Sequence, residues 1–273
     1  MQCIICDSQM RQRTKWAWHC TKCHFWRTNL QAGVGRGVEG LETLRRENFK
    51  ILCKWLERIA PLERKSCLEI GCAEGWFLDE IKKYVARCQG IEPSKVAQTA
   101  LDAGHDVKVG LFPNVLNDGA SFDLIIYNDV FEHLPNPIEA LRDCEQRLNP
   151  GGLLVLNLPS SNGLFFWLSL VLLKCGQSSV FDRLWQKDLP SPHLSYFNPK
   201  NLTDFINRYS GLSLICSLPL PSIGQKGMKE RVSASHKGLT GYIIYLGLVV
   251  WLPIIKLLPS DIFVLVFQKP SSI

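Results

Sequence analysis

From Ser66 onward the chain repeats one pattern: a short apolar run, a turn containing Gly, Asp or Asn, then apolar residues at helical spacing. Runs at 66–70, 88–92, 106–109, 122–127, 152–158, 212–218 and 262–267 read as seven strands. Helical periodicity falls at 75–86, 94–103, 137–148 and 199–209. Strands alternating with helices predict an α/β fold: a doubly wound, mainly parallel sheet covered on both faces. Ligands of such sheets sit beyond the carboxyl ends of the strands, at the switch point of the strand order. Upstream, Leu44, Phe49, Leu52, Trp55, Leu56 and Ile59 recur at helical spacing up to Pro61, as in an amphipathic helix covering a larger domain.

The first 30 residues follow a different rule. Cys3, Cys6, Cys20 and Cys23 form two C-x2-C pairs. Two intervening residues let both thiolates of a tight knuckle face one ion, and four sulfurs complete the closed tetrahedral shell of structural zinc. So short a segment cannot fold on its own core, so metal binding has to supply much of its folding free energy. His19 and His24 flank the second knuckle but are not needed by a complete four-thiolate shell. Trp16, Trp18, Phe25 and Trp26 surround it, either to stack on bases or to cover the small core. The glycine-rich run 31–40 (QAGVGRGVEG) reads as a linker. The expected division is a zinc-binding knuckle at 1–30, a linker and covering helix at 31–65, and a main domain at 66–273 with apolar insertions at 159–190 and 225–259.

Composition changes this picture in two ways. Residues 1–65 carry a net charge of +7 and the remainder −1, so the basic surplus is N-terminal and suits a nucleic acid, an anionic lipid or an acidic substrate. There are eleven cysteines, and no apolar leader opens the sequence, which argues for a reducing, cytoplasmic compartment. The seven cysteines outside the knuckles stand singly among apolar residues, where Cys acts as a small buried hydrophobe.

The loops at the carboxyl ends of the strands hold the residues with chemical potential. LEIGCAEGWFL follows the first strand, with Gly71 and Gly75 bracketing a turn where a Cβ would obstruct close backbone approach to a ligand. GIEPS follows the second and places Glu92 where a carboxylate can accept from both hydroxyls of a ribose. NDVFEHLPNP follows the fourth, and LNPGGLLVLNLP follows the next helix. GCAEG lacks the G-x-G-x-x-G spacing of a nicotinamide-binding turn. In order and spacing, the four segments resemble the class I S-adenosylmethionine-dependent methyltransferases, most closely the small-molecule branch with the ubiquinone and sterol methyltransferases. The resemblance covers about residues 42–270 and implies a seven-stranded sheet whose last strand, here 262–267, runs antiparallel. It further implies that Glu69, Gly71, Cys72, Ala73 and Gly75 line the methionine and ribose of S-adenosylmethionine. Glu92 would hold the ribose, Leu111 and Phe112 border the adenine, and Asn128 and Asp129 close the methionine side. Two positions depart from the family pattern: Ala73 replaces the usual middle glycine, and GLFPN lacks the usual Asp of the adenine loop, with Asn114 as the substitute.

Methyl transfer from a sulfonium is an in-line displacement that asks the protein mainly to align the reactants and exclude water. An acidic hydroxyl still needs a base, and His133 and His193 are the candidates. An Asn-Pro-Pro-aromatic signature of adenine methylation is absent; the corresponding residues are NDVF. Two apolar stretches, 163–173 and the uncharged 238–255, bear on the acceptor. The second is near the lower limit of a membrane span, yet a strand must rejoin the sheet after it. It therefore reads as an element lying on the membrane, preceded by Lys226, Lys229, Arg231 and Lys237, or as part of an internal core or dimer contact. The expected activity is methyl transfer, most simply to oxygen, on a small-molecule, sugar or lipid-linked acceptor; the alternative is an RNA methyltransferase gripping phosphates with its basic zinc module.

Overall fold

The computed structural model describes residues 1–35, 40–223, 232, 238–255 and 258–271. The basic residues at 226, 229, 231 and 237, and residues 36–39 of the linker, lie outside them.

Three short strands open the chain: β1 (Arg11–Gln12), β2 (Ala17–His19) and β3 (Trp26–Thr28). They form an antiparallel ribbon that continues into a fourth strand contributed from far along the sequence, so that Trp26 stands opposite Tyr196 and Arg27 opposite Ser195. After the ribbon comes α1 (Glu42–Ile59), which buries Phe49, Leu52, Cys53 and Leu56 on one face, as its periodicity requires.

The main sheet then builds in the expected alternation. Strand β4 (Ser66–Ile70) leads to α2 (Trp76–Ile81), β5 (Arg87–Glu92) to α3 (Ala97–Asp102), and β6 (Val107–Val109) to β7 (Phe122–Asn128). A 3-10 turn (Phe131–His133) and α4 (Pro137–Arg147) precede β8 (Leu148–Pro159). Two helices, α5 (Leu164–Lys174) and α6 (Ser179–Leu184), intervene before β9 (Ser195–Tyr196), the strand that completes the N-terminal ribbon. The chain closes with α7 (Pro199–Tyr209), β10 (Ser213–Leu220), α8 (Gly238–Ile255) and β11 (Ile262–Gln268).

The seven strands lie in the order β10-β11-β8-β7-β4-β5-β6. The pairs from β8 to β6 are parallel, and β11 runs antiparallel to both β8 and β10. The order reverses beside β4, which pairs with β5 on one side and β7 on the other, so the switch point falls at the end of β4. Strands covered on both faces need apolar residues at successive positions, and Leu153 to Leu158 are all buried. Ile125 and Tyr127 face a core shared with α4 and α7, while Leu124 and Ile126 face one shared with α1 and α2. Cys3, Ile5, Met10, Cys20 and Phe25 join the first of these cores, so the cysteine module is packed into the sheet's own interior.

The cap of α7 shows how local sequence fixes these elements. Asn198 accepts from the Asn201 backbone N–H, the Asn201 side chain accepts from the Asn198 N–H, and Pro199 occupies the first turn. Losing such a cap typically costs about 1 kcal/mol. By contrast α2 is shorter than its periodicity, because the chain turns through Lys82–Tyr84 and the Ala86 N–H donates to the Lys65 carbonyl.

Candidate active site

β4 delivers Glu69 and then the turn Gly71–Gly75 to the switch point. Three residues of that turn have left-handed backbone: Gly71 at φ +76°, Ala73 at +45° and Gly75 at +83°. The glycines are required by conformation and by protein packing. A Cβ on Gly71 would stand 2.5 Å from Val130 Cγ2, and one on Gly75 would stand 2.8 Å from the His105 ring. Protein packing alone therefore excludes a side chain at either position. Ala73 adopts a conformation in which glycine is more comfortable.

The turn is stapled to β5. Gly71 and Cys72 both donate their N–H to the Ile91 carbonyl, at 2.7 and 3.0 Å. Glu92, at the end of β5, accepts from the Ala73 N–H at 3.1 Å and from the Ser94 N–H at 2.9 Å. It thus holds two loops together, and a carboxylate with about four lone-pair sites keeps capacity for hydroxyl donors. Cys72 is buried with its sulfur beside Gly90, so its thiol is turned into the protein. Leu111 is exposed and Phe112 half-buried just beyond β6, where the Gly110 N–H donates to the Glu92 carbonyl at 3.2 Å. Neither lines the cavity at the switch point, which is bounded by Arg45, Phe49, Glu69, the 71–74 backbone and Asn128.

Behind that cavity runs a buried amide chain. Asn157 Nδ2 donates to Asn128 Oδ1 at 3.1 Å, and Asn128 Nδ2 donates to Glu69 Oε1 at 2.9 Å. Glu69 Oε2 is buried without a donor. Removal from water, against one amide hydrogen bond, pushes the Glu69 carboxyl up to about 8. Asp129 has left-handed backbone and pairs with Arg45 at 3.2 Å. Arg45 and Phe49 come from α1, and sequence reasoning missed them: helical periodicity marked the helix but could not say which turn meets the switch point.

On the far side of Asp129, Glu132 and His133 in the 3-10 turn meet His193, just ahead of β9. Sequence analysis treats the two histidines as separate candidates; the fold brings their rings to a centroid distance of 4.6 Å. Glu132 Oε1 lies 3.9 Å from His133 Nε2 and 3.8 Å from His193 Nε2. Burial holds both imidazoles below their ordinary value and raises the Glu132 carboxyl well above its own.

The four N-terminal cysteines converge as their spacing predicts. Their sulfurs all lie within 4.8 Å of one another, with Cys3–Cys23 and Cys6–Cys20 at 3.5 Å. Zn–S bonds of about 2.3 Å in a tetrahedron put sulfurs about 3.8 Å apart, so the set fits zinc. Each knuckle closes in the same way: Asp7 N–H donates to the Cys3 carbonyl and His24 N–H to the Cys20 carbonyl, both with left-handed backbone. Phe25 and Trp26 are buried, and Trp16 stacks near Phe181 and Trp185, so these aromatic rings cover a core. That corrects the base-stacking alternative for these three.

A family model described as a methyltransferase domain matches residues 44–216, well over half the sequence and all of the site from Arg45 to His193. The chain belongs to the methyltransferase domain family. The methyltransferase is 30% identical over 126 residues to a ubiquinone biosynthesis O-methyltransferase of Paracidovorax citrulli, covering 43% of this chain and 53% of that one. It thus spans about half of that relative's length. A second ubiquinone biosynthesis O-methyltransferase, from Ralstonia nicotianae, is 24% identical over 70% of this chain and 79% of its own. Among solved structures, a methyltransferase from a complex with the Haloferax volcanii Trm112 activator superposes with a TM-score of 0.58 at 15% identity, over 86% of this chain and 93% of that one. The N-methyltransferase NodS of Bradyrhizobium japonicum, in complex with S-adenosyl-L-homocysteine, gives 0.50 at 16% identity, over 84% and 88%. The chain thus carries a methyltransferase domain on the seven-stranded fold that these structures share.

Proposed function

We propose that the enzyme methylates an oxygen of a small or lipid-linked acceptor. The observation that carries this reading is the Glu132–His133–His193 cluster, which starts three residues beyond Asp129 at the carboxyl end of β7. Two imidazoles held in their neutral form beside a buried carboxyl group suit activation of an acidic hydroxyl. Glu69, Asn128 and the 71–75 backbone would hold the methionine and ribose of the cofactor, with Glu92 accepting from the ribose and Leu111 and Phe112 bordering the adenine. Glu69 Oε2, buried and without a donor, suits a donor group of that cofactor. When bound, S-adenosylmethionine supplies an electrophilic methyl carbon. The chain's residues align the acceptor with it and exclude water. Zinc in the four-cysteine shell would have no open position and so a structural task.

The lipid-linked part of the reading is supported by α5 and α8. Trp167 and Leu168 on α5, and Leu239, Tyr242, Ile243, Leu246 and Val250 on α8, are exposed. Among the described residues no helix is long and apolar enough to cross a membrane. The reading is accordingly of helices lying in the interface, beside the sequence's basic residues at 226–237. Flotation with anionic liposomes tests it: the protein should rise with the vesicles, and recovery only in the soluble fraction would remove the membrane contact.

The deciding experiment for the activity is incubation with methyl-labelled cofactor and host extract. Label is expected in lipid or small-metabolite fractions as a methyl ether. Label entering RNA would establish the rival acceptor class instead.

A further inference from the structure

The Glu132–His133–His193 cluster is more acceptor-rich than a simple base requires. The carbonyl of Pro192 can only accept, so the 2.9 Å contact with His133 Nδ1 makes that nitrogen the donor and leaves the lone pair on Nε2. Nε2 looks toward Glu132 Oε1 at 3.9 Å, and His193 Nε2 stands 3.8 Å from the same oxygen. Both carboxylate oxygens of Glu132, which is 1% exposed, are buried without a donor. Gln186 Nε2 donates to His193 Nε2 at 2.9 Å, while Gln186 Oε1 and His193 Nδ1 are buried with no partner among the described residues. Lone pairs gathered this closely in a dry place repel one another unless a proton on Glu132 or a metal cation lies among them.

The geometry and the donor set suit a metal ion. One ligand atom from each of the three residues lies within 4.8 Å of the others. Around an ion bound at about 2.0–2.2 Å, tetrahedral ligand atoms stand about 3.4 Å apart, so the cluster needs to contract by no more than about 1.4 Å. A His ring that donates from Nδ1 to a backbone carbonyl and offers Nε2 is the usual arrangement of a metal-binding imidazole. The ligands are also fixed by the backbone: Leu194 N–H donates to the Glu132 carbonyl at 2.8 Å, and His193 N–H to the Trp185 carbonyl at 3.0 Å. Two imidazoles with one carboxylate select a first-row divalent transition ion over calcium or magnesium.

We propose that Glu132, His133 and His193 form a second metal site, separate from the four cysteines, that takes a divalent first-row transition ion and offers its open positions to the acceptor oxygen. The role of the ion rests on the reading of methyl transfer to oxygen. In that role the acceptor hydroxyl binds the ion and loses its proton to solvent. The oxygen then forms its bond to the methyl carbon as the carbon–sulfur bond breaks, and the sulfur leaves as a neutral thioether. His133 and His193 act as ligands, which explains why neither stands free as a base.

Titration of the metal-free full-length protein with Co2+ tests the site, with bound metal counted by elemental analysis. Cobalt in the four-cysteine shell carries a thiolate charge-transfer band, whereas cobalt held by nitrogen and oxygen does not. The wild type is expected to bind one equivalent with that band and a further equivalent without it. Glu132→Gln and His193→Gln should each weaken the further equivalent by at least about tenfold, as loss of a metal-site contact does. Both should keep the thiolate band and the heat of cofactor binding, which certify folding. A wild type that stops at the thiolate equivalent, or variants that bind the further equivalent as well as the parent, would overturn the proposal. Absence of cofactor heat in the wild type would instead sink the methyltransferase reading, independently of the metal count.

Discussion

Asn128 gives Glu69 one hydrogen bond, through Nδ2 to Oε1 at 2.9 Å, and leaves the other carboxylate oxygen buried with no donor. Removal from water, only partly offset by that one hydrogen bond, pushes the Glu69 carboxyl up to about 8.

The sign of the resulting pH dependence follows from linkage. Between the ordinary carboxylate value of 4.5 and about 8 the folded chain holds a proton that the unfolded chain has released. Folding stability contributed by this group is therefore present at low pH and lost as pH rises through about 8. Glu69→Gln removes the slope. Melted without cofactor at about pH 9, the variant should exceed the parent by roughly 3 °C, and at about pH 5 the two should coincide. Parallel profiles across that range would show that Glu69 is not desolvated.

Glu92 carries two backbone hydrogen bonds as well as its proposed contact with the ribose. Replacing it with Ala should weaken cofactor binding by at least about tenfold, the usual loss for a hydrogen bond to a charged group. Glu92→Gln keeps one acceptor oxygen and should fall between. Calorimetry with S-adenosylmethionine reads the effect; an alanine variant binding like the parent would remove Glu92 from the site.

Gly71→Ala places a Cβ at positive φ and 2.5 Å from Val130. Strain and overpacking together should cost at least about 1–3 kcal/mol, read as a lower urea midpoint with an unchanged slope. Val130→Ala in the same chain should recover part of the loss, since it empties the position the new methyl needs.

If the four cysteines hold zinc as proposed, removing it should act on one wall of the enzyme and spare the other. β3 pairs with β9, the Arg27 guanidinium donates to Ser195 Oγ at 2.7 Å and to the Pro135 carbonyl at 2.6 Å, and Asn201 Nδ2 donates to the Cys23 carbonyl at 3.1 Å. A strong chelator, or Cys20→Ser with Cys23→Ser, should raise amide exchange at Trp26–Thr28 and Leu194–Tyr196 while Gly71–Gly75 stays protected. Equal deprotection of both regions would mean that the module supports the whole fold.

What could be foreseen divides along a physical line. Elements with their own period were legible: α7 lies at 199–209, as its apolar stripe predicts, and all seven strands of the main sheet fall within a few residues of their apolar runs. The antiparallel setting of β11 followed from family resemblance. Strands β1, β2, β3 and β9 carried no signal, because segments of two or three residues have no measurable alternation and pair with partners remote in sequence. α5 is apolar almost throughout, so its sequence marked an unusual stretch without indicating a face. The same limit applies to the site. Glu92 and the Gly71–Gly75 turn are local and readable, but Arg45 meets Asp129, and Glu132 meets His193, only through tertiary packing.

The pairing of Trp26 with Tyr196 also sets a timetable for biosynthesis. The knuckles leave the ribosome before β9 does, yet Phe25 meets Phe197 and Trp26 meets Tyr196 only after those later residues have been made. A fragment ending before residue 195 would lack Phe197 over Phe25 and Tyr196 beside Trp26. Premature termination should therefore yield a metal-loaded but adhesive product, prone to capture by chaperones or to clumping.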